Sequence, residues 1–226
     1  MFWGGGNGDE SARDYAKLRA QMVEEQIRAR GIQDTRVLAA MREVPRHEFV
    51  GPEYRHLAYD DRPLPIGAGQ TISQPYMVAA MSEALALKGP ETVLDVGTGS
   101  GYQAAVLASL AARVYSIERE HVLVETARAT LERLGLLARV VLLEGDGTQG
   151  HAPGAPYDGI VVGAAAPDVP HSLIEQLADG GRLVIPVGDL HSQELLLVRK
   201  IGAKVLRDVI NYCRFVPLLG AEGWKA

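Results

Sequence analysis

Two regimes of hydrophobic spacing divide the chain. Up to about residue 87, apolar positions recur at helical intervals or are interrupted by Gly and Pro. Between Asp14 and Arg30, Leu18, Met22 and Ile27 fall near a 3.6-residue period, and Gly31 supplies a stop. Asp34 predicts the N-cap of a second helix through Glu43, with Val37, Leu38 and Met41 on one face and Pro45 beyond its end. Seven Gly and Pro residues between 51 and 75 predict ordered loop or short strand. A third helix is expected from Pro75 to Leu87.

From Thr92 the pattern changes to short, continuous apolar runs separated by helical stretches. TVLDVG (92–97), RVYSIE (113–118), RVVLLEG (139–145), YDGIVVG (157–163) and GRLVIPVG (181–188) read as strands; 101–111, 121–134 and 170–178 read as helices. ELLLVRK (194–200) and 204–216 read as later strands. Continuous apolar strands alternating with helices predict a mostly parallel sheet covered on both faces. The expected fold is α/β, a doubly wound, mostly parallel Rossmann-like sheet with an N-terminal helical extension. Residues 1–13, Gly-rich at the start, are expected to be a disordered tail and 14–226 a single domain, with 14–90 as the helical segment and 91–226 as the α/β core.

Composition narrows the function. The chain has 226 residues, 23 Lys and Arg against 28 Asp and Glu, and a net charge of -5. An acidic chain without basic clusters is a poor nucleic-acid binder. No apolar run reaches the roughly 18 residues of a membrane span, and MFWGGGNGDE lacks the basic and apolar regions of a signal peptide. Cys213 is the single cysteine, so no internal disulfide forms, and a reducing cytoplasm is expected. The six histidines are too scattered for a metal site.

The candidate chemistry centres on Leu94-Asp95-Val96-Gly97-Thr98-Gly99-Ser100-Gly101, where the first strand of the core meets a helix. Ligands of doubly wound sheets bind at such carboxyl ends. The dinucleotide spacing G-x-G-x-x-G would put its third glycine at Tyr102, whereas here it is Gly101. A carboxylate at Asp95 would repel a pyrophosphate but suits the ammonium of a methionine moiety, which points to S-adenosylmethionine. Glu118, at the next strand end, is placed to accept from ribose hydroxyls, and Asp146 and Gly147, after the third, are placed to contact adenine.

VLDVGTGSGYQAAVLA (93–108), YSIER (115–119), GDG (145–147), YDGIVVGAAAP (157–167) and GGRLVIPVG (180–188) resemble the successive motifs of the protein-L-isoaspartate O-methyltransferases. PRHEFV (45–50), AYDDRPLPIG (58–67) and GQTISQPYMVA (69–79) resemble that family's substrate-side segment, and FVPLLG (215–220) its C-terminal strand. The resemblance covers about 20–220. It implies S-adenosyl-L-methionine as donor, S-adenosyl-L-homocysteine as product, and isoaspartyl proteins and peptides as acceptors. It implies substrate and cofactor contacts by Thr71, Ile72 and Ser73, with Ser73 catalytic, and further substrate contacts by Ala164, Ala165 and Ala166. Gly163 departs from the Thr usual in the family, and Asp95 from the Glu of many bacterial members.

Several alternatives stand beside these expectations. Ser73 precedes Pro75 and an apolar helix, so a helix cap competes with the catalytic role. The alanines equally suit tight packing. A methyltransferase acting on small molecules and a non-catalytic S-adenosylmethionine-binding module are the rival functions. A cytoplasmic monomer without nucleic-acid or membrane partners is expected.

Overall fold

The computed structural model describes residues 7–225, with side chains from Asp14 onward. Helix α1 (Asn7–Gln21) continues through a π-helical segment (Met22–Ile27) and a 3-10 turn (Arg28–Arg30). It stops at Gly31, whose φ of +101° only glycine adopts without strain. The first turns of α1 occupy part of the segment expected as a disordered tail. Residues 9–13, Asp-Glu-Ser-Ala-Arg, follow the last glycine of that segment, so nothing there breaks a helix. Residues 1–6 of the expected tail lie outside the described residues. Helix α2 (Thr35–Glu43) is capped by Asp34, whose side chain accepts the N–H groups of Arg36 (2.8 Å) and Val37 (3.2 Å).

The hairpin β1 (Leu64–Gly67) and β2 (Gln70–Ile72) precedes helix α3 (Pro75–Ala84). The core then alternates β3 (Thr92–Val96), α4 (Tyr102–Ala108), β4 (Arg113–Glu118), α5 (His121–Arg133), β5 (Val140–Glu144), β6 (Tyr157–Val162), α6 (His171–Gln176) and β7 (Leu177–Gly188). Two further strands, β8 (Gln193–Ile201) and β9 (Lys204–Cys213), complete a seven-stranded sheet of order β5-β4-β3-β6-β7-β8-β9. β3 to β7 pair in parallel, while β8 and β9 are added antiparallel.

This order places the site. The chain winds outward from β3 through β4 to β5, then returns to lay β6 on the other side of β3. The connections after β3 and β6 therefore leave in opposite directions and open a crevice between them, the place where such sheets bind ligands. Val93, Leu94 and Val96 of β3, and Ile160, Val161 and Val162 of β6, are all 0% exposed, so the crevice has a rigid, packed floor. α3 and α4 cover one face, and β9 ends the sheet with much of its side-chain surface exposed. No described helix is long and apolar enough to cross a membrane.

Candidate active site

The glycine turn after β3 takes a shape that side chains would oppose. Gly97, Gly99 and Gly101 have φ of +87°, +54° and +87°. Its backbone is stitched to the end of β4, because the N–H groups of Gly97 and Thr98 donate to the Ile117 carbonyl at 2.9 and 3.2 Å. A cleft opens above it, walled by Gly97, Gly99, Glu118, Gly147 and Ala164 and by the segment Val216–Leu219. Gly147 is a close approach: a Cβ there would lie 2.6 Å from Val96 Cγ1.

Glu118 lines this cleft and is 7% exposed. One carboxylate oxygen accepts the Gly99 N–H at 2.9 Å, and the other accepts those of Arg119 (2.8 Å) and Glu120 (3.0 Å). A carboxylate has about four lone-pair sites, so capacity remains for a ligand hydroxyl. The Gly-lined cradle and this carboxylate fit the nucleoside end of S-adenosylmethionine.

Other expected cofactor residues stand behind the cleft. Asp95 is 0% exposed and absent from its walls. Its side chain lies along β4, accepting the Ser116 hydroxyl at 2.7 Å, and Ser116 in turn bonds Thr98 at 2.6 Å. Burial pushes the Asp95 carboxyl up to about 7; the Ser116 bond pulls it down and the Glu118 charge adds to the rise. Its second oxygen, Oδ1, is buried without a partner. Ser100 accepts the Tyr102 N–H at 3.3 Å and faces a different cavity. Gly101 admits α5, since a Cβ would come within 3.3 Å of that of Ala127.

Asp146 also differs from expectation. Its Oδ1 accepts the N–H (2.9 Å) and hydroxyl (2.6 Å) of Thr148, and its Oδ2 accepts Gln149 Nε2 (3.1 Å) and the Ala221 N–H (2.8 Å). Burial alone would raise its pKa; these bonds outweigh it and hold the carboxyl below its usual range. With about four acceptor sites filled, Asp146 clasps the C-terminal segment, and its neighbour Gly147 faces the cleft.

A second cleft adjoins the first, sharing Thr71, Gly163 and Val216 with it. Ser73, Tyr76, Arg30, Asn211 and Arg214 are among its walls. Ser73 is not the cap of α3: Gln74 occupies that position, and the Tyr76 N–H is accepted by Asp61 Oδ1 at 3.0 Å. Asp61 also pairs with Arg30, which stacks on the Tyr76 ring at 3.5 Å. The Ser73 hydroxyl has no hydrogen-bond partner among the described residues, which leaves it for a ligand.

Ile72 and two of the alanines are placed otherwise than expected. In the β1–β2 hairpin, strand alternation turns Ile72 into the core, 4% exposed, while Thr71 faces the clefts. Ala164 lines the cleft above the glycine turn. Ala165 and Ala166 are 1% and 0% exposed and do not reach the cleft of Ser73. Ala165 exchanges backbone hydrogen bonds with Val216 and Leu218, and Ala166 with Pro186 and Gly188, all at 2.8–3.1 Å. Sequence reasoning missed Arg30, Tyr76 and Asn211, for which no local signal existed; FVPLLG did mark the segment that walls the cleft above the glycine turn. Among the described residues, no three His, Cys, Asp or Glu side chains are grouped as a metal would require.

Comparison with known proteins agrees with this geometry. Residues 17–223 match the family model described as protein-L-isoaspartate(D-aspartate) O-methyltransferase. The chain is 55% identical over 207 residues to the protein-L-isoaspartate O-methyltransferase of Methanoculleus marisnigri, covering 92% of this chain and 94% of that protein. It is 54% identical over 219 residues to protein-L-isoaspartate O-methyltransferase 1 of Rhodopseudomonas palustris, covering 96% and 89%. Among solved structures, a protein-L-isoaspartate O-methyltransferase superposes with a TM-score of 0.82 at 29% identity, over 92% of this chain and 67% of that one. A Plasmodium falciparum structure described as the same enzyme, in complex with S-adenosyl-L-homocysteine, gives 0.79 at 27% identity over 89% and 98%.

Proposed function

The chain belongs to the protein-L-isoaspartate(D-aspartate) O-methyltransferase family, and from that premise we propose how its two clefts divide the reaction. The enzyme transfers a methyl group from S-adenosylmethionine to the free carboxylate of L-isoaspartyl residues in proteins and peptides, which starts repair through a succinimide. The cleft above the glycine turn takes the donor. Gly97, Gly99 and Gly147 give it backbone, and Glu118 accepts from the ribose. When bound there, S-adenosylmethionine supplies an electrophilic methyl on a sulfonium. The cleft of Ser73 takes the acceptor.

The observation that carries this division is the shared wall: Thr71, Gly163 and Val216 border both clefts, so donor and acceptor meet there. Gly163 has no side chain to separate them, and a Cβ would already stand 3.3 Å from the Gly97 carbonyl oxygen. The acceptor needs no general base, because a carboxylate with a pKa near ~4 is ionised at neutral pH. The chain's work is alignment to about 3 Å and exclusion of water, since opposite charges cancel as a neutral ester and a thioether form. The unpartnered Ser73 hydroxyl orients the carboxylate with a single donor. A stronger set of donors would stabilise the ground state and slow transfer.

Asp95, Thr98, Ser100 and Gly101 support the glycine turn from behind, and Asp146 holds the far wall. Ile72, Ala165 and Ala166 shape the clefts through packing and backbone bonds. The acidic net charge and single cysteine support a cytoplasmic enzyme without nucleic-acid partners, acting as a monomer.

Paired synthetic peptides test the assignment. In isoaspartate the carboxylate hangs on Cα, one bond closer to the main chain than in aspartate. A misplacement near 1 Å costs on the order of a hundredfold in rate. Base-labile methyl, released as methanol, is expected from the L-isoaspartyl peptide and not from its L-aspartyl twin. Equal rates on the two, or label that survives mild base, would reject it.

A further inference from the structure

The acceptor cleft does not end where the methyl is transferred. Arg30, Tyr76 and Asn211 also line a second, adjoining cavity of about 290 Å³, between α3 and the outer strands β8 and β9. We propose that this cavity is a side-chain subsite, receiving an apolar residue of the substrate polypeptide that flanks the isoaspartyl residue. The proposal rests on the acceptor assignment above and extends it to sequence preference.

Continuity comes first. The same three side chains border both spaces, so a chain that places its isoaspartyl carboxylate beside Ser73 has a neighbouring residue within reach of the second. The walls then choose the class of side chain. Ala80, Leu197 and Ile210 present aliphatic surface, with Leu195 packed beneath them. The charged residues Arg30, Glu83 and Arg182 also line the cavity, and each already has a partner within the protein. Glu83 accepts the N–H groups of Gln33 and Asp34, both at 2.7 Å, Arg30 pairs with Asp61, and Arg182 donates to the Ala84 carbonyl at 3.1 Å. A polar guest would lose water and find few free partners, whereas an aliphatic one would lose only its hydration cost. The volume exceeds the roughly 150 Å³ apolar cavity that takes up a benzene ring. Access is open, because β9 ends the sheet and Ile210 is 39% exposed.

The experiment uses the full chain and a set of isoaspartyl peptides alike except at one flanking position, stepped from three residues before to three after, with Leu or Ser there. At one position Leu should raise kcat/KM about tenfold, through KM. The variants Ile210→Ser and Ala80→Leu, the first removing an apolar wall and the second filling the cavity, should each bring that ratio toward one. S-adenosylhomocysteine affinity serves as the check that both variants are folded. Equal kcat/KM for Leu and Ser at every position, or a preference that both variants keep, overturns the subsite while leaving the acceptor assignment in place. Failure to methylate any of the isoaspartyl peptides overturns both.

Discussion

Glu118 accepts the backbone N–H of Gly99 at 2.9 Å, so the end of β4 and the glycine turn after β3 are held as one unit. Removing this carboxylate frees the turn and, on the donor assignment proposed above, takes away a ribose acceptor. Hydrogen bonds to a charged group are worth about 1.5–3 kcal/mol. Glu118→Ala should therefore weaken S-adenosylhomocysteine binding about tenfold or more by calorimetry. Unchanged affinity in a folded variant would remove Glu118 from the donor site.

Asp61 accepts the Tyr76 N–H at the start of α3, the capping role that the sequence offered to Ser73, and a pair of variants separates the two residues. Asp61→Ala loses the acceptor for the Tyr76 N–H and should cost about 1 kcal/mol in denaturant unfolding. Ser73→Ala, with no hydrogen-bond partner to lose among the described residues, should leave stability within about 0.5 kcal/mol and lower kcat on isoaspartyl peptide with donor affinity kept. A melting loss for Ser73→Ala with normal turnover would reverse this assignment.

Asp95 imposes a pH dependence on the fold. Its carboxyl is raised to about 7 by burial, against an ordinary value of 3.8 in the unfolded chain. Between those values the native state holds a proton that the unfolded state has released. This stability is complete below about pH 4, declines as pH rises toward 7, and is flat above. From pH 5 to pH 8 the wild type should lose on the order of 2–3 kcal/mol that Asp95→Asn retains. Urea titrations of both proteins at the two pH values give the comparison, and parallel losses would place the proton elsewhere.

Gly147 is fixed by space. Its φ is ordinary, yet a Cβ would lie 2.6 Å from Val96 Cγ1 and 3.3 Å from Ile117 Cγ2. Gly147→Ala should destabilise by about 1–3 kcal/mol, as overpacking does, and weaken donor binding by displacing the cleft wall. Wild-type affinity and melting together would show that the wall yields.

The parts legible in the sequence were those written by neighbouring residues. Apolar runs marked β3 to β6, and the strand ends carried Gly97, Glu118 and Gly147 to one crevice, because parallel strands bring all carboxyl ends to one edge. The Asp34 cap and the Gly31 stop are likewise local. What escaped was decided by distant contacts. The cap of α3 comes from Asp61, fifteen residues before the N–H it accepts. Asp146 looks like a free strand-end acid until Ala221 arrives 75 residues later to occupy it. The alanine run reads the same whether it faces a ligand or, as Ala165 and Ala166 do, a backbone. Arg30 closes a helix in sequence and lines the acceptor cleft only because α3 brings Tyr76 beneath it.

The clasp at Asp146 should give the outer wall of the proposed donor cleft an opening equilibrium of its own. Residues 217–224 belong to no strand; a single isolated bridge, Pro217 to Ala165, and hydrogen bonds to Asp146, Thr148 and Ala165 hold them. Such a segment detaches at a cost well below global unfolding. In the free enzyme, the Ala221 amide should therefore exchange with deuterium far sooner than the amides of β3. Donor binding, which needs the wall in place, should slow that exchange in proportion to occupancy. Deuterium uptake at this one amide is thus a gauge of how full the donor site is, readable without any acceptor present.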